Sequence, residues 1–174
     1  APLLLAMGRL HENKGFDVLI EAVARLPGVY LWIAGEGPRY ADLEARAQQL
    51  FVKPRVRFLG WRDDAPALFA ACDVFVCPSR HEPLGNVVIE AWAQGVPVVA
   101  TESRGPAALV RHGETGLLVP VDDARALAHA IQQLLADREQ AARLGRAGRS
   151  AFEQRFTEAI VARQYLDFFH KVLA

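Results

Sequence analysis

The sequence predicts a doubly wound α/β fold: a parallel sheet of about six strands, Rossmann-like, with helices on both faces and further helices at the C-terminal end. Three observations carry that expectation. Six short apolar runs, at residues 3–7, 30–34, 56–59, 74–76, 96–100 and 116–119, are nearly continuous rather than alternating, which suits strands buried on both faces of a parallel sheet. Segments of helical periodicity separate them, at residues 16–26, 40–50, 65–71, 86–94 and 123–136, giving the strand–helix alternation of such a sheet. Beyond Asp137 the strand signal stops, and residues 138–155 and 157–173 read as helices alone.

Each element has its local justification. The opening residues run straight into the first strand, are too short for a membrane span and lack a basic leader, as expected of a piece cut at a domain boundary. Gly35-Glu36-Gly37-Pro38 follows the second strand; with Tyr40 in place of the last glycine of a dinucleotide fingerprint, it reads as a turn, with Pro38 opening the next helix. Cys72 is expected to end the third helix and Cys77 to follow the fourth strand, both as small buried hydrophobes. The fourth helix begins near Gly85 or Asn86. Asp122 or Asp123 is placed to cap the helix after the sixth strand. Phe156-Thr157-Glu158 marks a helix stop and restart. No internal repeat or flexible linker interrupts the pattern, so residues 1–174 read as one domain with a helical tail from about residue 138.

Composition limits the functions available. The hydrophobic fraction of 52% against 23% charged residues describes a chain able to bury a core. Lys plus Arg and Asp plus Glu are both 20, so no global charge recruits nucleic acid or anionic lipid, and a phosphate site has to be local. Two cysteines and five scattered histidines show no metal-ligand spacing, and no metal or resident cofactor is expected. Thiols without partners favour a reducing, cytoplasmic setting. The serines lack a nucleophile-elbow context, and no Walker A loop is present.

Two segments carry the candidate chemistry. Gly8-Arg9-Leu10-His11-Glu12-Asn13-Lys14-Gly15 follows the first strand at the carboxyl edge of the sheet, where doubly wound folds bind ligands. From a loop, Arg9 and Lys14 are able to converge on one diphosphate and stabilise its charge; spacing alone equally allows a solvated loop with two surface cations. The second segment, from Pro78 through Glu82-Pro83-Leu84-Gly85-Asn86-Val87 to Glu90, follows the fourth strand. It leads into a helix N-terminus, whose free N–H groups suit phosphate. Glu82 in the loop and Glu90 a turn or more inside the helix are carboxylates able to accept vicinal sugar hydroxyls. Asn86, Glu90 and Gln94 also fit a plain solvated stripe. Trp61 and Arg62, after the third strand, are placed to flank a base, or Trp61 to pack. His81 reads as structural.

Taken in order, these segments resemble the C-terminal domain of group 1 glycosyltransferases, the retaining GT-B enzymes of the GT4 type. The matching residues are Gly8-Arg9-Leu10 with Lys14-Gly15, Gly35-Glu36-Gly37-Pro38, Phe58-Leu59-Gly60, Ala71 through Ser79, the Glu82 and Glu90 pair followed by Ala91, Gly95-Val96-Pro97-Val98-Val99-Ala100 and Gly113 through Val119. The resemblance implies that Arg9, Lys14 and the backbone at Gly85, Asn86 and Val87 hold the diphosphate of a nucleotide-sugar donor. It assigns Glu82, Leu84 and Gly85 to the transferred sugar, Glu82 as a donor-orienting catalytic group, Glu90 to the ribose, and Trp61 and Arg62 to the border of the base. It implies transfer with retention and without metal. It also implies an N-terminal acceptor domain in the same polypeptide, absent here, without which this half is inactive. Two departures stand out: Leu84 where the family often has an aromatic, and no acidic residue between Gly105 and Val110. The resemblance also implies that the last helix, through Ile160, Val161, Tyr165, Leu166, Phe168 and Phe169, crosses toward the other domain; cut from it, that face is expected to pack on its own domain or on a second copy. The acceptor stays open, as does peripheral membrane association of the full-length enzyme. The alternatives are a sugar-nucleotide epimerase of the same fold, or a non-catalytic nucleotide-binding module.

Overall fold

Successive side chains of a strand point to opposite faces, and here both faces are dry. Leu4 and Ala6 enter one core cluster with Leu19, Ile33, Leu127 and Ile131, whereas Leu5 enters the other with Phe69, Phe75, Val88 and Trp92. The computed structural model describes residues 1–173. Its strands are β1 (Leu3–Met7), β2 (Tyr30–Ala34), β3 (Val56–Gly60), β4 (Val74–Cys77), β5 (Val98–Thr101) and β6 (Leu117–Val119). They form one sheet in the order β3-β2-β1-β4-β5-β6, every pairing parallel. The helices are α1 (Phe16–Ala24), α2 (Tyr40–Gln49), α3 (Ala65–Ala71), α4 (Asn86–Ala93), α5 (Arg104–Leu109), α6 (Ala124–Ala136), α7 (Arg138–Arg155) and α8 (Glu158–Leu173). The doubly wound parallel sheet of six strands is therefore present as expected.

The strand order reverses between β1 and β4. The chain runs outward from β1 to β3, returns to lay β4 beside β1, then runs outward the other way. The loops after β1 and β4 consequently meet above their strands at the carboxyl edge, which is where such sheets bind ligands.

Most element bounds agree with the sequence within a residue or two, and the differences have local causes. β5 begins at Val98 rather than at residue 96: the Val96 N–H closes the end of α4 on Ala91 O, and Pro97 lacks an N–H for the ladder. Pro38 does not open α2; it sits in the turn before Arg39, the N-cap. Cys77 is the last residue of β4 rather than following it, and Cys72 is only half-buried. Asp123 is the cap of α6, accepting from Arg125 N at 3.0 Å and Ala126 N at 2.8 Å. α5 was not anticipated. α8 restarts after Phe156 and Thr157, but its apolar side does not fold back: Tyr165, Leu166, Phe168 and Phe169 are all more than half exposed. The expectation that this face packs on its own domain is not met: α7 supplies the buried Leu144 and the partly buried Phe152, whereas the described part of α8 adds no buried residue.

Candidate functional site

The two loops at the switch point are locked together by backbone. Asn13 O accepts from Arg80 N at 2.8 Å and His81 N at 3.1 Å. Gly15 holds φ +64° against Pro78, and a Cβ there would overlap the Pro78 carbonyl, so the close approach requires glycine. A 3₁₀ turn at Glu12–Lys14, with His11 Nδ1 accepting from Asn13 N, presents Lys14 across this seam.

Lys14 Nζ donates to Glu82 Oε2 at 2.5 Å, with both side chains largely shielded from water. Among the described residues, Glu82 is the one charged residue whose polar side chain is buried. Its second oxygen, Oε1, accepts from Gly85 N at 3.4 Å, and its carbonyl accepts from Gly105 N at 2.6 Å. The carboxylate is thus fixed at the mouth of α4. Gly85 adopts φ +77° to turn the chain into α4, and the N–H groups of Asn86 and Val87, in the first turn, have no partner within the helix. Leu84 is exposed beside them.

Next to this centre lies an open cleft of about 480 Å³ lined by Arg9, Glu36, Trp61, Arg62, Val87 and Glu90, a volume within the range of small-molecule sites. Among the described residues Arg9 makes no ion pair, whereas Arg62 is forked onto Asp64, with Nε donating to Oδ1 at 2.7 Å. Trp61 is exposed, and its N–H donates to Glu36 Oε1 at 3.4 Å. Burial pushes the Glu90 carboxyl above the usual glutamate range, because no cation among the described residues pairs with it there. A second cleft of equal volume, lined by Pro2, Asp73, Leu134 and Arg138, lies at the amino edge of the sheet, away from all of these groups.

All ten candidate residues therefore gather at the carboxyl edge, but in two neighbouring groups. Lys14, Glu82, Leu84, Gly85 and Asn86 form one; Arg9, Trp61, Arg62 and Glu90 line the other, and Val87 stands on the shared helix. The pairing of Lys14 with Glu82, rather than with Arg9 on a common ligand, is not visible in spacing, because loop side chains are aimed by tertiary contact. Glu36 and Gly105 are additional. Glu36 had been read only as part of a turn, and Gly105 was missed with α5. A Cβ on Gly105 would stand 2.6 Å from Glu82 O and 2.8 Å from Gly85 N, so α5 presses directly on the loop that carries Glu82. Ser103, extended at ψ 156° just before Arg104-Gly105-Pro106, was the available signal for a helix start. Burial raises both thiols, that of Cys72 to about 12, so neither supplies a nucleophile near neutral pH. No cluster of three or more His, Cys, Asp or Glu among the described residues has the arrangement of a metal site. No helix among them is long and apolar enough to cross a membrane.

Comparison with known proteins gives this arrangement a context. The sequence profile of "Glycosyl transferases group 1" matches residues 1–151. The chain is 50% identical over 166 residues to the lipopolysaccharide core biosynthesis glycosyltransferase LpsE of Rhizobium meliloti, covering 95% of this chain and 49% of that protein. It is 36% identical over 180 residues to the GDP-mannose-dependent alpha-(1-6)-phosphatidylinositol monomannoside mannosyltransferase of Mycobacterium tuberculosis, covering 96% and 47%. The fold superposes on the crystal structure of Anabaena Alr3699/HepE in complex with UDP and glucose with a TM-score of 0.93 at 31% identity, covering 97% of this chain and 48% of that one. The chain spans about half the length of the relatives it matches. Profile, relatives and fold agree: the chain belongs to the group 1 glycosyltransferase family.

Proposed function

We propose that this chain is the donor-binding half of a retaining glycosyltransferase, which moves a sugar from a nucleoside diphosphate to an acceptor held by a second domain of the same polypeptide. The observation that carries the reading is the shielded Lys14–Glu82 pair at the mouth of α4. A cation, a carboxylate and a helix N-terminus meet there at the point where the strand order reverses. A donor matches all three: its diphosphate exchanges for Glu82 on Lys14, and its sugar hydroxyls exchange for Lys14 on Glu82. The N–H groups of Asn86 and Val87 and the side chain of Arg9 add positive charge around the phosphates, Gly85 and Leu84 border the sugar, Glu90 accepts from the ribose hydroxyls, and Trp61 and Arg62 border the base.

Transfer with retention follows as a front-face displacement. The acceptor hydroxyl oxygen bonds to the anomeric carbon while the bond from that carbon to the phosphate oxygen breaks. The hydroxyl proton passes to the departing phosphate. Charge grows on the leaving diphosphate, and fixed cations and N–H dipoles stabilise that growth. Glu82 orients the sugar and forms no covalent bond to it. The reading includes no metal or resident cofactor. The half alone should turn over no acceptor, and peripheral association of the full-length enzyme with a membrane is part of the reading where the acceptor is a lipid. An epimerase of the same fold is disfavoured by the family match.

Calorimetric titration of the full-length protein with UDP-glucose, GDP-mannose and ADP-glucose identifies the base. Acceptor-dependent transfer is then followed in Glu82→Gln and Lys14→Ala with and without a chelator. Each substitution should lower kcat/KM by about a hundredfold or more, as loss of a transition-state donor does, and the chelator should change nothing. Unchanged transfer by both variants would overturn the roles given to these residues.

A further inference from the structure

The Lys14–Glu82 pair is held by contacts that the donor itself would not touch. Arg80 lies two residues before Glu82, and its guanidinium reaches three other parts of the chain. Nη1 and Nη2 donate to Asp17 Oδ1 at 2.9 Å and Oδ2 at 2.8 Å, in the first turn of α1. Nη1 also donates to Glu12 O at 2.7 Å, inside the 3₁₀ turn that ends in Lys14. Nε donates to Asp122 Oδ1 at 2.5 Å, in the turn between β6 and α6. Asp122 has φ +60°, in the left-handed region that Asp enters more readily than most residues with a side chain. Partial burial raises the Asp17 pKa, but the hydrogen bonds and charge of Arg80 outweigh it and leave the carboxyl below its usual range.

We infer that Arg80 is a positioning residue for the donor site: it fastens the turn that carries Lys14 to the loop that carries Glu82 and braces both against the β6–α6 turn, so that cation and carboxylate meet the donor preassembled. The inference rests on the donor-site reading above. Only a planar fork with donors along three edges satisfies Asp17, Glu12 and Asp122 together; an ammonium keeps the charge and loses the geometry.

The test is titration of the full-length protein with UDP, GDP and ADP, alongside thermal melts that confirm folding. Arg80→Ala and Arg80→Lys should each weaken binding of the preferred diphosphate by about tenfold, and Asp122→Asn by roughly threefold with the fold intact; in a Lys14→Ala background, adding Arg80→Ala should cost less than about twofold more, because the cation it positions is already gone. A purely structural role would give the same loss in both backgrounds, and that result, or an Arg80→Lys protein that binds within about twofold of the parent, would overturn the inference. If the unsubstituted protein binds none of the three diphosphates, the donor-site reading falls and takes this inference with it; intact binding that is indifferent to Arg80 sinks this inference alone.

Discussion

At the scale of single residues, Glu90 offers the sharpest reading of the site by pH. Its carboxyl is pushed up by desolvation, so the folded protein holds that proton more tightly than the unfolded chain does. The sign follows: the charged form costs stability, and the cost grows as pH rises through the folded pKa. Under the proposed function donor binding runs the opposite way, since ribose hydroxyls would donate to the ionised form. Nucleotide affinity should therefore fall on acidification at a pH above the ordinary glutamate value of about 4.3. Glu90→Gln should remove that acid limb, weaken binding at neutral pH by roughly tenfold, and leave the melting temperature unchanged or raised. Titrations from pH 5 to 8 beside melting curves check both halves; a retained acid limb in Glu90→Gln would assign it to another group. Much of this site was legible residue by residue. Arg9, Lys14, Glu82 and Glu90 follow from motif order and type. What spacing did not contain was the partner of each: Lys14 meets Glu82 across 68 positions, and Arg80 had no periodicity to mark it.

At the scale of elements, α7 packs along α4. Trp92, on the face of α4 away from the cleft, is fully buried and donates through Nε1 to Thr115 O at 3.0 Å. α7 lies against it through Gly145 and Gly148: a Cβ on the first would overlap Gly95 O, and one on the second the Trp92 ring. Glycine in a helix interior costs roughly 0.5–1 kcal/mol, and here the close approach of two helices is the return. Gly148→Ala should accordingly destabilise the fold by about 1–3 kcal/mol through overpacking, seen as a melting temperature lower by roughly 2–4 °C per kcal/mol. A variant as stable as the parent would show that the helices separate at little cost. The sequence predicted α7 in spite of these glycines, since its helical pattern runs on both sides of them. α5 escaped because it spans six residues, Arg104–Leu109, with Gly105 and Pro106 in its first turn, too short for any periodicity to emerge.

At the scale of the whole molecule, α8 leaves an apolar side uncovered, with no residue of the described helix buried. The chain also spans about half the length of its relatives, and under the proposed function the second domain supplies the missing cover. Backbone amides of α8 should then exchange quickly in this half and slowly in the full-length polypeptide, measured by hydrogen exchange with mass spectrometry. Equal exchange in both would mean that α8 does not serve the domain interface.

The adjacency of β1 and β4 has a consequence in time as well as in space. A nascent chain carries Lys14 out of the ribosome long before it carries Glu82, and three strands and three helices intervene. Contacts of such sequence separation form late and slowly. The site therefore exists only once both loops are in place, and under the proposed function a nucleotide that binds only the folded arrangement draws the equilibrium toward it by mass action. On that reading the donor would stabilise the fold that makes its site.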